Sequence, residues 1–313
     1  MPQQATLNLS PRLMETARSL YDGARRLPEL PGAYLHPWRR ESIRKLSLLK
    51  DAHKGERCFL IGNGPSLKQT DLSLLQNEFT FGFNRIFLAA EELNFRPSCL
   101  VSINDLVIEQ SAAEFRALAM PKFFAWRSHR WVGMDANTHY LYTSYTTPKF
   151  ARDLRGRVWE GATVTNVALQ LAYFMGFSTV ILVGVDHSFA TRGTPNTTVQ
   201  SEGDDPNHFS AAYFGKGFRW QLPDLETSEM AYRMARQAFE AEGRQVLDAT
   251  IGGKLEVFPK VGYSSLFGYT QNAEQSLLIR ILLIPRGYRS QRRISVSEKK
   301  DSSLRPVPLR VSE

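Results

Sequence analysis

Short apolar runs that end in glycine or in Asn and Asp alternate along this chain with longer stretches in which apolar residues recur every three or four positions. "CFLIGN" (58–63), "FTFGFNRIFL" (79–88), "FRPSCLVSIND" (95–105), "PKFFAW" (121–126), "STVILVGVDHSF" (178–189) and "QVLDAT" (245–250) have the composition of strands. Near-continuous runs of this kind suit strands covered on both faces. "VIEQSAAEFRAL" (107–118), "TVTNVALQLAYFMGF" (163–177) and the stretch from Asp224 to Gly243 carry helical spacing. "SLKQTDLSLL" (66–75) reads as a short helix or turn, and the aromatic-rich region from Arg127 to Val158 gives a mixed signal. Strands that alternate with helices predict an α/β fold, a mostly parallel Rossmann-like sheet with helices on both faces.

The two ends depart from that pattern. Residues 1–55 read as a helical N-terminal arm, with "LMETARSLYDGARRL" and "RRESIRKLSLLKDAHKG" separated by the prolines of "LPELPGAYLHPW". Residues 56–270 are expected to form the nucleotide-binding domain. Residues 271–313 form a basic segment with little core-forming pattern, expected to be disordered. The net charge of +8 is concentrated there: from Arg280 to Glu313 nine Lys/Arg oppose three Asp/Glu, a net +6 that leaves about +2 for the rest. A basic tail of this kind argues against a specific nucleic-acid groove and is compatible with peripheral contact with an anionic membrane. No run of eighteen apolar residues or signal-peptide layout is present, so the expected location is cytoplasmic, or peripheral at a membrane through that tail. Two cysteines, Cys58 and Cys99, make neither a disulfide framework nor a metal motif.

Candidate chemistry gathers at the strand ends. Ligands of open α/β sheets bind beyond the carboxyl ends of the strands. Here those ends carry Gly62-Asn63-Gly64-Pro65-Ser66, Asn84-Arg85, Asn104-Asp105 and Asp186-His187. Glycines permit a sharp turn and the close approach of a phosphate, and Pro65 with Ser66 starts a new element. The turn lacks the Lys-Ser/Thr of a P-loop and the spacing of a dinucleotide fingerprint, and a plain strand-to-helix turn is the alternative. "EGATVTNVALQLA" places Thr163 and Thr165 at a helix start, where hydroxyls suit an anion or a simple cap. "GDDPNHFSAAYFGKGFRWQLPD" puts His208 among aromatics in a loop, a candidate general base or a surface histidine. Gly252-Gly253-Lys254 could bend toward a phosphate or make a hairpin turn.

"LIGNGPSL", "FGFNRIF" and "GATVTNVALQLAYFMGFSTVILVGVDHSF", in that order, resemble the 6-hydroxymethylpterin diphosphokinase MptE-like family, which includes the motility accessory factor flagellin glycosyltransferases. The same order is similar to bacterial sialyltransferases of the Campylobacter lipooligosaccharide type. The resemblance covers roughly residues 56–260. It implies that Gly62, Asn63, Gly64 and Ser66 form a nucleotide-phosphate turn, that Asn84 meets the base or sugar, that Thr163 and Thr165 sit near the donor phosphate or carboxylate, and that His208 is the catalytic base. From their places at the strand ends, Pro65, Arg85, Asn104, Asp105 and His187 are expected to complete the nucleotide site and Asp186 to be a second catalytic residue, with no metal ligand assigned. "Asn-Arg" at 84–85 and His187 after Asp186 depart from the sialyltransferase pattern.

The leading expectation is a transferase: a sialyltransferase-like, nucleotide-sugar-dependent glycosyltransferase acting on a surface glycan or protein acceptor, as in polysaccharide biosynthesis. The donor is then a substrate, and no cofactor is certain. The alternative is a 6-hydroxymethylpterin diphosphokinase that transfers diphosphate from ATP with Mg²⁺ held by carboxylates, for which Asp105, Asp186, Asp204 and Asp205 are available. A nucleotide-binding scaffold without activity is the third reading. The aromatics and the histidine of the 203–224 loop favour the first.

Overall fold

The computed structural model describes residues 27–268, together with Leu20, Tyr21 and Ala24. The first helical stretch of the arm falls mostly outside those residues, and the basic tail falls wholly outside them. Eight strands form one sheet: β1 (Arg57–Ile61), β2 (Phe79–Phe83), β3 (Cys99–Ser102), β4 (Lys122–Ala125), β5 (Thr138–Ser144), β6 (Arg157–Trp159), β7 (Thr179–Val183) and β10 (Gln245–Asp248). Their order is β10-β7-β1-β2-β3-β4-β5-β6, and each adjacent pair runs parallel. The expected α/β fold, a mostly parallel sheet with helices around it, is therefore present.

Alternation along β1 shows how the sheet is buried on both faces. Cys58 and Leu60 enter one apolar cluster with the helices Val164–Met175 and Leu225–Glu240. Phe59 and Ile61 enter a second cluster on the other face, with Val107 and Ile108 of the helix Asp105–Gln110. Val164–Met175 is buried nearly all round, as a helix between a sheet and a second helix must be. The helix Pro37–Leu49 packs on β5, where the Tyr140 amide donates to Ser42 Oγ at 2.9 Å and Lys45 Nζ donates to the Ala136 carbonyl at 2.8 Å.

Two strands lie within the region of mixed signal. β5, "THYLYTS", is buried throughout, and β6 is only three residues long. Neither alternates polar and apolar positions, since packing on both faces removes the alternation. "FTFGFNRIFL" is shorter as a strand than its pattern suggests: β2 stops at Phe83, and Ile86–Leu88 is a 3₁₀ turn. The reason is local. Asn84 takes a left-handed backbone, φ +47°, which ends the extended run.

Strand order reverses between β1 and β7, because β2 to β6 succeed one another on one side of β1 and β7 and β10 lie on the other. Ligand clefts of open α/β sheets form at such a reversal. Past the strand ends, the β1–β7 pairing continues: Gly62 N donates to Val183 O at 2.7 Å and Gly64 N to Gly184 O at 2.9 Å. A Cβ on Gly62 would stand 2.2 Å from the Gly184 carbonyl oxygen, and one on Gly64 would stand 1.8 Å from Asp186 Oδ2. The Asp186 carboxylate fills that space and caps the 3₁₀ turn Pro65–Gln69, accepting from Ser66 N at 3.1 Å and Ser66 Oγ at 2.6 Å. The glycines are thus required by the approach of a neighbouring loop, where the sequence alone suggested the approach of a phosphate.

Two substitutions test this seam. Gly62→Ala meets rigid backbone and is expected to cost more than about 2 kcal/mol of stability in denaturant melts, with no ligand present. Asp186→Ala removes two hydrogen bonds to a carboxylate and is expected to cost roughly 2–4 kcal/mol in the same assay. A wild-type melting curve for either variant would show that the two loops part without penalty.

Candidate functional site

Beyond the seam opens a cleft of about 580 Å³, large enough for a nucleotide-sized ligand. Its floor is the Gly62–Gly64 turn with Gly184–His187, one wall is the helix start Ala162–Thr165, and its cover comes from the 188–224 segment. That segment carries a two-stranded antiparallel hairpin, β8 (Thr198–Gln200) with β9 (Arg219–Gln221), that the sequence pattern did not reveal.

Of the candidate residues, the cleft brings together Gly62, Asn63, Gly64, Asn84, Asn104, Thr163, Thr165, Asp186, His187 and His208. Pro65, Ser66, Arg85 and Asp105 are not among the residues that line it. Pro65 opens the 3₁₀ turn and Ser66 binds Asp186. Arg85 reaches back to the carbonyls of Ala212 and Tyr213, with its guanidinium carbon 5.0 Å from the centre of the Phe218 ring. Burial lowers its pKa, which its contacts with Tyr213 and Glu114 oppose. Asp105 accepts from Arg127 Nε at 2.7 Å and Ser128 Oγ at 3.1 Å.

The residues that do line the cleft are held by neighbours. Asn63 Nδ2 donates to Phe83 O at 3.0 Å, while its Oδ1 is buried without a protein partner. Asn84 Oδ1 accepts from Ser102 Oγ at 2.9 Å, and its side chain also bonds the Tyr213 hydroxyl. Asn104 Oδ1 caps the helix Asp105–Gln110 at Leu106 N, 3.0 Å away. Thr163 Oγ1 accepts from Thr165 N at 3.2 Å and lies 3.3 Å from the Tyr232 hydroxyl. Burial raises the Tyr232 phenol pKa, and the hydrogen bonds of Thr163 and Thr165 moderate the rise. His187 Nε2 lies 3.2 Å from Glu229 Oε1. Asn84, Ala162 and His187 all line the cleft in left-handed conformations, with φ +47°, +56° and +53°. For alanine this backbone is sterically costly, and strain of this kind concentrates at binding sites.

The turn cannot offer all its amides to a phosphate. Those of Gly62, Gly64 and Ser66 already donate to Val183, Gly184 and Asp186. The helix start Val164–Met175, with Thr163 and Thr165 and the positive end of its dipole, is the remaining part suited to an anion.

His208 has the most developed arrangement. Its Nδ1 lies 2.7 Å from Asp205 Oδ2, a carboxylate only 2% exposed that also accepts from the amides of Asn207 at 2.8 Å and Phe214 at 3.1 Å. The imidazole stacks on Tyr213 at 3.9 Å between ring centres. A carboxylate that fixes Nδ1 leaves Nε2 as the nitrogen able to take a proton. The loop is anchored to the turn, since Phe209 N donates to Asn63 O at 2.8 Å. The i,i+3 spacing in "DPNH" is the one sequence feature that could have paired Asp205 with His208. Glu160, Tyr232 and Asn207 also line the cleft and carry no motif that marks them.

Of the four candidate Mg²⁺ carboxylates, Asp105, Asp186 and Asp205 each bind a different protein partner and Asp204 is exposed, and among the described residues no three of His, Cys, Asp and Glu gather as metal ligands. Among the described residues no helix is long and apolar enough to cross a membrane.

Known proteins supply the context for this geometry. No curated protein sequence matches the chain. The solved MAf glycosyltransferase from Magnetospirillum magneticum AMB-1 is similar at 15% identity, over 88% of this chain and 46% of that one, with a TM-score of 0.43. The chain thus spans about half the length of that protein. The family model described as 6-hydroxymethylpterin diphosphokinase MptE-like matches residues 39–192. That segment, which is similar to the MptE-like family, holds β1 to β7, the Gly62–Ser66 turn, the helix start at Thr163 and the Asp186-His187 strand end.

Proposed function

We propose that the chain is a nucleotide-sugar-dependent glycosyltransferase that acts on a hydroxyl of a surface glycan or protein acceptor. The observation that carries this reading is the Asp205–His208 pair on the cleft, 2.7 Å apart, held by buried amides and anchored to the turn at the sheet reversal. His208 Nε2 takes the proton of the acceptor hydroxyl. The acceptor oxygen attacks the anomeric carbon, and the bond from that carbon to the phosphate oxygen breaks with its electron pair on the oxygen. The nucleotide leaves as the phosphate-bearing product. Thr163, Thr165 and the helix start meet the charge that develops on the phosphate. Asp205 keeps the imidazole in the accepting tautomer and stabilises the imidazolium. The nucleotide lies across Asn63, Asn84 and Asn104, whose positions the neighbouring strand ends fix. The name of the matching family denotes a transferase, which supports the general class.

The family's name also points to the alternative, transfer of diphosphate from ATP to a hydroxymethylpterin with Mg²⁺. The dispersed carboxylates disfavour it. Turnover measured on CMP-, UDP- and GDP-sugars, and on ATP with hydroxymethylpterin, each with and without chelator, separates the two. His208→Ala is expected to slow nucleotide-sugar turnover by ~10²–10⁴-fold with donor affinity nearly unchanged. Asp205→Asn is expected to slow it by at least ~10-fold. Chelator is expected to change little. Activity only on ATP and pterin, abolished by chelator and indifferent to His208→Ala, would overturn the glycosyltransferase reading.

A second expected outcome concerns the helix start. Thr165→Val removes a hydroxyl but keeps the size of the side chain, and is expected to weaken CMP or UDP binding by ~5–30-fold in calorimetry, the worth of one charge-assisted hydrogen bond. Unchanged affinity for both nucleotides would place the phosphate elsewhere.

A further inference from the structure

The segment from residue 27 to residue 38 leaves large apolar side chains in water: Leu27 is 62% exposed, Leu35 71%, Tyr34 40% and Trp38 37%. Scattered singly, such residues need no explanation, but gathered in one short segment they mark a contact surface. Their place in the fold is defined. The ring centres of Tyr34 and Tyr142, the latter in β5, are 5.7 Å apart, and a Cβ on Gly32 would stand 3.3 Å from Nε1 of Trp126, just past β4. The segment therefore lies at the carboxyl ends of β4 and β5. This is the edge of the sheet at which the cleft opens, and Tyr145, directly after β5, is one of the cleft-lining residues. Trp38 carries the surface on: its ring centre is 6.3 Å from that of His129, and the next residue, Arg130, is exposed, with its guanidinium carbon 4.2 Å from the centre of the Trp131 ring.

Charge selects the occupant. Residues 27–50 hold five Lys/Arg and two Glu, a net +3. Arg40 and Arg44 are exposed on the helix Pro37–Leu49. Arg44 pairs with Glu41 at 2.7 Å, whereas Arg40 and Arg130 enter no ion pair among the described residues. The two ends of the chain do not complement this surface, because both are basic: residues 1–26 hold four Arg against two acidic residues, and residues 271–313 hold nine Lys/Arg against four Asp/Glu. Two copies that met through the same face would set arginines against arginines. Leucines, a tyrosine and a tryptophan beside exposed arginines suit instead the headgroup region of an anionic bilayer. There the rings sit between tails and water, the leucines leave water, and the guanidinium groups meet lipid phosphate.

We propose that the face made by Leu27, Tyr34, Leu35, Trp38, Arg40 and Arg130 docks the protein on an anionic lipid surface and so brings the carboxyl edge of the sheet, where the cleft opens, to the bilayer. The proposal does not depend on the reaction carried out in the cleft. It also differs from attachment through the basic segment 271–313, since it assigns the contact to a folded face with a fixed place relative to the sheet.

Co-sedimentation of the full chain with vesicles tests this, using phosphatidylcholine alone and phosphatidylcholine with about one-third phosphatidylglycerol. Wild type is expected to bind the anionic vesicles and to release them as salt is raised, with little binding to the neutral ones. The combined variant Leu27→Ser, Leu35→Ser, Arg40→Gln is expected to bind at least ~10-fold more weakly, since one cation near such a surface is worth roughly 5-fold and the leucines add to it. A second measurement reads the contact itself. Cys58 and Cys99 are buried, so a thiol-reactive, environment-sensitive fluorophore reports on an introduced cysteine alone. On a Leu35→Cys variant its emission is expected to shift to the blue with anionic vesicles. On a Lys54→Cys variant, exposed before β1 at the opposite edge of the sheet, it is expected to stay as in buffer. Wild type that stays in the supernatant with both kinds of vesicle would overturn the inference and leave the face to a protein partner. A folded combined variant that binds as tightly as wild type would overturn it too, as would a Leu35 label that responds no more than the Lys54 label. So would a Leu35 label already shifted in buffer, because the chain itself or a second copy then covers the face. Should the combined variant not fold, the two labelled variants decide.

Discussion

The site depends on the contact of two backbones beyond the ends of β1 and β7. Gly62 and Gly64 continue the ladder with Val183 and Gly184 after the strands proper have ended. No side chain fits between the two loops, and the Asp186 carboxylate occupies the place where a Gly64 Cβ would stand. The loops can separate only after this point, and the space that opens is the cleft. The same contact settles the orientation of the 3₁₀ turn, because Asp186 caps it through Ser66. Fold and site therefore share one element, and a change at the seam reaches both.

The cover is tied to the same place. Phe209 bonds the carbonyl of Asn63, and Arg85 at the end of β2 holds the carbonyls of Ala212 and Tyr213. At the far end the Gln110 side chain exchanges two hydrogen bonds with the backbone of Arg219, at 2.8 and 2.9 Å. Between these anchors, Tyr213 and Phe214 pack against the His208 ring, and Phe214 stacks in turn on Trp220. A histidine on a long loop would ordinarily sample many positions. Here the Asp205 carboxylate, two amides and an aromatic face restrict it, which is the condition for a base to meet a substrate in one geometry.

Charge around the cleft is spent inside the protein. Arg127 joins the ends of β3, β5 and β6 through Ile103, Thr143 and Glu160, and Asp105 completes the group. Asp186 serves the turn and Asp205 serves the histidine. What faces a ligand is a set of amides, hydroxyls and a helix start. Such a surface discriminates by hydrogen-bond geometry.

Local pattern determined much of this protein. Apolar runs, most of them ending in Gly, Asn or Asp, located β1, β3, β4, β7 and β10, and helical spacing located the two long helices. Strand alternating with helix then pointed to the parallel sheet, because parallel neighbours need a crossover connection, which is usually a helix. The polar strand ends were legible for the same reason: a buried strand needs no Asn or Asp at its end for packing. The motif order in 56–260 also pointed to the MptE-like family. Tertiary structure decided which of those polar residues face the cleft. Arg85 and Asp105 sit beside Asn84 and Asn104 in the chain, yet turn away to hold the cover and Arg127. It decided that Gly64 makes room for Asp186, from a strand more than a hundred residues later. It found β5 and β6, which two-sided burial strips of alternation, and the β8–β9 hairpin, whose strands are three residues each. It also brought Glu160 to the wall beside Thr163. These facts depend on contacts between distant segments, and the energy of such a contact is not written in the local periodicity of either segment.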